Sequence, residues 1–119
     1  NLQNIFEFHP PQKNIISFMQ EADCIGLFSL YEGLPNTICE GMALGKMIVA
    51  SKISDLPLMF QERFLFDPYS PISISQVLKN TLALSSEELL LIGRNNQEQA
   101  KLLFNKEKIL NKYLSLLSN

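Results

Sequence analysis

The stretch SLYEGLPNTICEGMALGKMIVAS, from Ser29 to Ser51, decides the predicted fold. The apolar run CIGLFSL (24–30) leads into it, with the length and composition of a strand buried on both faces. A Gly-Leu-Pro-Asn turn follows, and then a helix over Asn36 to Leu44, with Asn36 as N-cap and Gly45 as the stop. MIVAS (47–51) is a second buried strand. This order of strand, helix and strand predicts a parallel βαβ unit.

The rest of the chain extends this unit. The patterns predict, in chain order, a strand at NIFEFH (4–9), a helix over Lys13 to Ala22, a short strand at Phe64 to Phe66, and helices from Ile72 to the end, with a capping box at Ser85 and Glu88. We therefore expect an α/β fold, a Rossmann-like parallel sheet flanked by helices with a helical C-terminus. The length of 119 residues fits a single domain over 1–119.

Composition narrows the class of protein. Apolar residues make up 46% and charged residues 18%, which is typical of a globular chain. A net charge of −2 gives no basic field for nucleic acid. The lysines near the C-terminus alternate with glutamates, which indicates a solvated helix face or a membrane-surface patch. Cys24 and Cys39 lack metal-ligand spacing and are interpreted as free thiols in a reducing compartment. We expect a cytoplasmic location, with peripheral association at the inner face of the cell membrane as an option.

Two carboxylates, Glu32 and Glu40, flank the turn. One interpretation is structural, because a glutamate near a helix start complements the helix dipole and commonly lies on the surface. The alternative is a binding site, because the turn leaves the carboxyl end of a predicted parallel strand, where ligands bind in such sheets. A carboxylate there can accept paired hydrogen bonds from a vicinal diol.

The predicted helix after the turn favours the binding site. Its small residues, Gly41, Ala43 and Gly45, let it approach a sheet closely. Its N-terminus offers unpaired N–H groups suited to phosphate or to sugar hydroxyls. Gly33 is expected to permit a backbone conformation that other residues resist, and Pro35 to stiffen the turn. The residues thus indicate a site for a polyol phosphate or a nucleotide.

The run EGLPNTICEGMALG (32–45) resembles the E-x7-E segment of retaining family 4 glycosyltransferases, which have the GT-B fold. EADCIGLFSLYEG (21–33) and MIVAS resemble the segments on either side of it. The resemblance covers most of the chain and is strongest from Ala22 to Ser51. It implies that the chain is most of the C-terminal, donor-binding half of a GT-B fold, truncated, with upstream strands and the N-terminal acceptor domain absent.

The same resemblance implies functions. The full-length enzyme would transfer a sugar from a UDP- or GDP-sugar with retention, without a metal or other cofactor, to a glycan or lipid-linked acceptor bound through the missing domain, in bacterial surface polysaccharide synthesis. The fragment alone would be inactive. By this resemblance, Glu32 is the catalytic residue and orients the donor sugar together with the backbone of Gly33, Leu34 and Pro35. The N–H groups at Asn36 and Thr37 face the diphosphate or the sugar. Glu40 binds the ribose, and His9 lies in a loop near the donor.

The chain also departs from the family pattern. After Gly45, Lys46-Met47 stands where the family usually carries Pro. Ile53-Ser54-Asp55 stands where a Gly-Gly pair is frequent, and His9 where Gly is common. The basic residues that clamp the diphosphate would lie upstream of Asn1. Two alternatives remain open: a non-catalytic nucleotide-sugar-binding or regulatory module of the same fold, and an unrelated flavodoxin-like domain with structural glutamates. The second alternative is disfavoured because the sequence has no Gly-rich phosphate loop after its first predicted strand.

Overall fold

The computed structural model describes residues 2–118. The elements follow in this order: a 3-10 helix at Leu2–Asn4, α1 (Ile15–Glu21), β1 (Cys24–Leu27), α2 (Asn36–Ala43), β2 (Met47–Ser51), α3 (Leu56–Met59), a 3-10 helix at Glu62–Phe64, β3 (Leu65–Phe66), α4 (Pro71–Leu82), α5 (Ser86–Leu103) and α6 (Lys106–Leu117). Within the described residues the strands form one parallel sheet in the order β1-β2-β3. The predicted α/β architecture, a parallel sheet with flanking helices and a helical C-terminus, is confirmed.

The central strand β2 is buried along its whole length because helices cover both faces of the sheet. Its side chains alternate between two clusters, as the pleat of a strand requires. Met47 and Val49 pack with residues of β3 and α4, whereas Ile48 and Ala50 pack with residues of α2 and α5. Burial on both faces explains why the sequence of β2 from Met47 to Ala50 is an unbroken apolar run.

Helix α5 crosses the end of α2 at backbone contact distance. Gly45, with φ +70°, ends α2 in the left-handed conformation that favours glycine. A Cβ added at Gly93 would lie 2.0 Å from the carbonyl oxygen of Gly45. The side chains of Asn96 and Gln97 each donate a hydrogen bond of 2.9 Å to a backbone carbonyl at or just after the end of α2. The predicted stop at Gly45 is confirmed, and Gly93 is what permits the crossing.

The predicted N-terminal strand at 4–9 is wrong. Asn4 closes the 3-10 helix, and residues 5–9 are exposed without regular structure. Among the described residues, β1 pairs only with β2, so its outer edge is open and NIFEFH pairs with no strand. The alternation of apolar residues was present, but an extended segment becomes a strand only when a neighbour accepts its hydrogen bonds.

Several predicted boundaries shift. Helix α1 begins at Ile15 rather than Lys13, and β1 ends at Leu27 rather than Leu30. Phe64 lies in a 3-10 helix, which leaves two residues in β3. The capping box of α5 is confirmed: Ser85 Oγ accepts from Glu88 N at 3.2 Å, and Glu88 Oε2 accepts from Ser85 N at 2.7 Å.

Helix α6 contributes no buried residue and lengthens the molecule to 61 × 31 × 29 Å. Its apolar side chains, from Ile109 to Leu117, are exposed. Over residues 2–118, no helix is both long enough and apolar enough to cross a membrane.

Candidate functional site

The three strands end together, and the connections that follow them meet at one edge of the sheet. β1 continues into residues 28–35, β2 into residues 52–55 and β3 into residues 67–70. We call this the carboxyl edge. Because all strands are parallel, it is where the general rule for open α/β sheets puts a ligand. The Glu-Gly-Leu-Pro loop therefore lies where the sequence predicted it.

The loop after β1 is held in shape by its own side chains. Ser29 Oγ donates a hydrogen bond of 2.9 Å to Glu32 Oε1, and this carboxylate is otherwise exposed to solvent. Pro35 is buried at the entry to α2, while Leu34 and Gly33 are exposed. The loop thus has a fixed base and a solvent-facing tip that carries the first carboxylate.

The expectation that Gly33 needs glycine for its backbone conformation is wrong. Its φ lies outside the left-handed region, and an added Cβ would meet no heavy atom within 4 Å. Its absent side chain instead leaves the backbone of the loop tip open to solvent. The residue with the conformational need is Gly45, at the other end of α2.

The N-terminus of α2 exposes donors. The predicted N-cap, Asn36, is instead the first helical residue, and Pro35 is the N-cap, which cannot cap with a side chain. The Pro35 carbonyl accepts from the N–H groups of Ile38 and Cys39, at 3.1 and 3.3 Å. Among the described residues, no group accepts a hydrogen bond from the backbone N–H of Asn36 or Thr37, and both residues are exposed. These donors, with the partial positive charge of the helix end, suit an anion or a hydroxyl.

Glu40 lies one turn into α2 and is half-buried. The helix approaches the sheet closely here, since a Cβ on the next residue, Gly41, would lie 2.8 Å from Ile48 Cδ1 and 3.4 Å from Ile25 Cγ1. In the described part of the chain, no group donates a hydrogen bond to the Glu40 carboxylate. Its oxygens are therefore available to a ligand.

The structure does not bring His9 to this loop. His9 Nε2 lies 3.4 Å from Glu7 Oε1, and the imidazole packs edge-on against Phe18 with ring centroids 5.0 Å apart. Within residues 2–118, no hydrogen bond, ion pair or ring contact joins it to Glu32 or Glu40. The structure thus joins the predicted residues from Glu32 to Glu40 in one loop and helix and leaves His9 apart.

Four aromatic residues at the carboxyl edge were not predicted as part of the site. Phe28 and Tyr31 follow β1, Phe66 ends β3, and Tyr69 follows it. The rings of Phe28 and Phe66 stack with centroids 5.0 Å apart, and the Tyr69 hydroxyl donates to the Tyr31 hydroxyl at 3.5 Å. The signal that could have found them is positional: each lies within three or four residues of the end of a parallel strand.

The cysteines are unsuited to chemistry at this edge. Both are free thiols, as predicted. Burial raises the pKa of Cys24 to about 11 and also raises the pKa of Cys39, so both remain protonated at neutral pH. Residues 2–118 contain no cluster of three or more His, Cys, Asp or Glu side chains that could hold a metal ion.

Comparison with known proteins now decides the family. Residues 1–99 match the family model described as "Glycosyl transferases group 1". The chain belongs to this glycosyltransferase family. It is also similar to an uncharacterized glycosyltransferase of Methanocaldococcus jannaschii, at 37% identity over 51 residues. Those residues are 43% of this glycosyltransferase chain but only 13% of the archaeal protein, so the match spans a small part of that relative. No solved structure matches.

Proposed function

We propose that this chain is the nucleotide-sugar-binding domain of a retaining glycosyltransferase of family 4. The observation that carries the proposal is the arrangement at the start of α2. Unpartnered N–H groups of Asn36 and Thr37 lie between two carboxylates, Glu32 and Glu40, at the carboxyl edge of a parallel sheet. One segment thereby offers donors for a diphosphate and acceptors for two sets of sugar hydroxyls.

Each group has a role in this proposal. Glu40, whose carboxylate has no described hydrogen-bond donor, accepts from the vicinal hydroxyls of the ribose. Glu32, aligned by Ser29, orients the donor sugar together with the exposed backbone of Gly33 and Leu34 and the base of the loop at Pro35. Asn36 and Thr37 direct their N–H groups toward the diphosphate.

His9 belongs to the proposal only through the family resemblance, because its described contacts are with Glu7 and Phe18.

The proposed reaction needs no protein nucleophile. The bond from the anomeric carbon to the diphosphate oxygen breaks, and the acceptor hydroxyl oxygen bonds to that carbon on the same face. The acceptor proton passes to the departing phosphate oxygen. The carboxylates bind and orient, so their ionised state suffices and neither has to donate a proton. Neither a metal nor another cofactor is required in this scheme.

The proposal includes a larger protein around this domain. Among the described residues β1 has one open edge, and α6 has no buried residue. The accessible surface is 8963 Å², whereas a compact monomer of this mass exposes about 6,500 Å². The excess fits a domain that packs against further protein. Further strands beside β1, a basic clamp for the diphosphate, and an acceptor domain that binds a glycan or a lipid-linked acceptor belong to the proposal through the family resemblance. Without them, this chain is expected to be inactive.

The biological setting is also a proposal. The EGLPN turn suggests synthesis of bacterial surface polysaccharide from a UDP- or GDP-sugar in the cytoplasm. The exposed apolar face of α6, flanked by Lys108 and Lys112, would suit peripheral association of the enzyme with the inner face of the cell membrane.

The test is a calorimetric titration of UDP- and GDP-hexoses into the full-length protein that contains this chain, and into its Glu40→Gln variant. Losing charge-assisted hydrogen bonds of about 1.5–3 kcal/mol should weaken binding about 10- to 100-fold. Glu87→Gln is the matched control, because Glu87 is an exposed glutamate in the first turn of another helix, α5. Equal affinity of wild type and Glu40→Gln would remove Glu40 from ribose binding.

Transfer is tested separately by NMR of the product. The proposal predicts the same anomeric configuration in donor and product, and an inverted product would refute retention. Tight binding of nucleotide sugars without any transfer by the full-length protein would favour the non-catalytic binding or regulatory module.

A further inference from the structure

The aromatic residues at the carboxyl edge form two contacts that connect the loops after β1 and β3 across β2. The Phe28 and Phe66 rings are 25° from parallel, with centroids 5.0 Å apart. Further out, the hydroxyls of Tyr31 and Tyr69 are 3.5 Å apart, although 38 positions separate these residues in the chain. Phe66 is 1% exposed, whereas Tyr31 and Tyr69 are 83% and 66% exposed. Phe66 is part of the core, Phe28 is 53% exposed and stacks on it from the solvent side, and the outer pair faces solvent.

A small residue in β2 allows the inner pair to meet. Ser51 is aligned with Phe66 in the sheet, and Leu27, the residue before Phe28, is aligned with Ala50. Phe28, one residue past the end of β1, therefore continues the row that Ser51 and Phe66 form in β2 and β3. The Ser51 side chain is fully buried and donates a hydrogen bond of 3.2 Å to the Leu27 carbonyl, so its polarity is satisfied beneath the rings.

Both tyrosines are carried by loops with fixed geometry. Tyr31 directly precedes Glu32, whose carboxylate is hydrogen-bonded to Ser29. Tyr69 donates its backbone N–H to Asp67 Oδ1 at 2.9 Å, in a turn that Pro68 also restricts. Such supported loops hold side chains in position at little further entropic cost on binding.

The tyrosine hydroxyls retain hydrogen-bonding capacity. At 3.5 Å their contact is far longer than an ordinary O–H···O bond of about 2.7–2.8 Å, so it is weak and easily exchanged. Each phenol can donate one hydrogen bond and accept others, and each exposed ring offers an apolar face. A pyranose ring presents the complementary chemistry, with hydroxyls at its rim and C–H groups on its faces.

We propose that Tyr31 and Tyr69 form a sugar-contacting pair that binds the hexose of the nucleotide sugar and helps to select it. The inference rests on the proposed function, because the position of Tyr31 beside Glu32 places the pair at the sugar end of the donor rather than at its base. A hydroxyl of the sugar replaces the weak contact between the two phenols. The Phe28–Phe66 stack keeps the two loops at a fixed separation, so these two are positioning residues.

The experiment measures sugar recognition separately from nucleotide recognition. UDP, GDP and a panel of their hexose conjugates are titrated, without acceptor, into the full-length protein and its Tyr31→Phe, Tyr69→Phe and doubly substituted variants. Ser115→Ala, on helix α6, is the control for loss of an exposed side-chain hydroxyl away from this edge. Phe replacements keep the rings, and thermal unfolding of each variant verifies that the fold is retained.

The expected result is a loss of about three- to tenfold in affinity for the nucleotide sugar in each single variant, with affinity for the bare nucleoside diphosphate unchanged. The ranking of hexoses should also change in the double variant. A structural role alone would move both affinities together, and that result would overturn the proposal. So would unchanged affinity for every hexose conjugate.

Failure of this inference can be distinguished from failure of the proposed function. If wild-type protein binds neither nucleoside diphosphates nor their sugars, the proposed function fails and the tyrosine pair fails with it. If wild type binds both and Glu40→Gln weakens them while the tyrosine variants do not, only the tyrosine pair is refuted.

Discussion

Replacing Gly93 with alanine tests the backbone contact between α5 and the end of α2. An alanine Cβ would lie 2.0 Å from the Gly45 carbonyl oxygen and 2.9 Å from its carbonyl carbon. Ordinary contact between carbon and oxygen begins at about 3.3 Å, so α5 would have to move away by about 1.3 Å. Neither partner is a flexible side chain, because both contacting atoms belong to the backbone.

The free energy of this change can be worked out term by term. Overpacking of this kind costs about 1–3 kcal/mol. Moving α5 also stretches the 2.9 Å hydrogen bonds from Asn96 and Gln97, which contribute about 0.5–1.5 kcal/mol each. Alanine returns about 0.5–1 kcal/mol through its higher helix propensity. These terms sum to a net loss of about 1–5.5 kcal/mol in the free energy of unfolding.

Two other glycines make a graded series of controls. Gly33→Ala meets no atom within 4 Å, so we expect a change within about 0.5 kcal/mol. Gly41→Ala meets the terminal Cδ1 of Ile48 at 2.8 Å, a side-chain atom that can shift, and should fall between the other two. Equilibrium urea unfolding followed by far-UV circular dichroism measures all three variants. With a slope of about 2 kcal/mol/M, the Gly93→Ala midpoint should fall by about 0.5–3 M. The packing argument would be refuted if the Gly93→Ala midpoint equalled that of wild type, or if the Gly33→Ala midpoint were lower than that of Gly93→Ala.

Two further predictions concern the capping box and a buried thiol. The backbone N–H of Ser85 lowers the pKa of the Glu88 carboxyl, so its stabilising contribution is present above the unfolded pKa and is lost as the pH falls through the folded one. Stability measured between about pH 6 and pH 3 should therefore fall less steeply in Glu88→Gln than in wild type, and equal slopes would contradict this assignment. Burial raises the pKa of Cys24 to about 11, so in the Cys39→Ala variant the remaining thiol should react with a disulfide reagent at pH 8 far more slowly than it does in urea. Labelling of the folded variant at the rate of the unfolded one would show that Cys24 is accessible and ionised.

The elements that could be predicted from the sequence are those whose signals are local. The apolar run of β2, the left-handed stop at Gly45 and the capping box of α5 depend on a few adjacent residues, and all three are confirmed. The strand predicted at 4–9 failed because a strand depends on a distant partner, which an alternating pattern cannot reveal. Residues Phe6 and Phe8 of that segment are instead 64% and 93% exposed.

The candidate site divides in the same way. The loop and helix from Glu32 to Glu40 are contiguous, so their position at the carboxyl edge could be inferred from one strand and one turn. Contact between Tyr31 and Tyr69 depends on the order of the three strands, because the two residues lie on loops that follow β1 and β3. The need for glycine was also misplaced at Gly33, since turn composition alone does not determine which residue takes a positive φ.

The open edge of β1 has a mechanical consequence. This strand carries the loop with Tyr31 and Glu32, yet among the described residues it pairs with a neighbouring strand on one side only. A segment that hydrogen-bonds along Cys24–Leu27 would therefore stiffen the base of that loop without touching its tip. Ligand affinity at the carboxyl edge would then depend on whether a segment is paired with β1, whose last residue is four positions before Tyr31. Strand β1 thus connects the open edge of the sheet to the loop that carries Glu32.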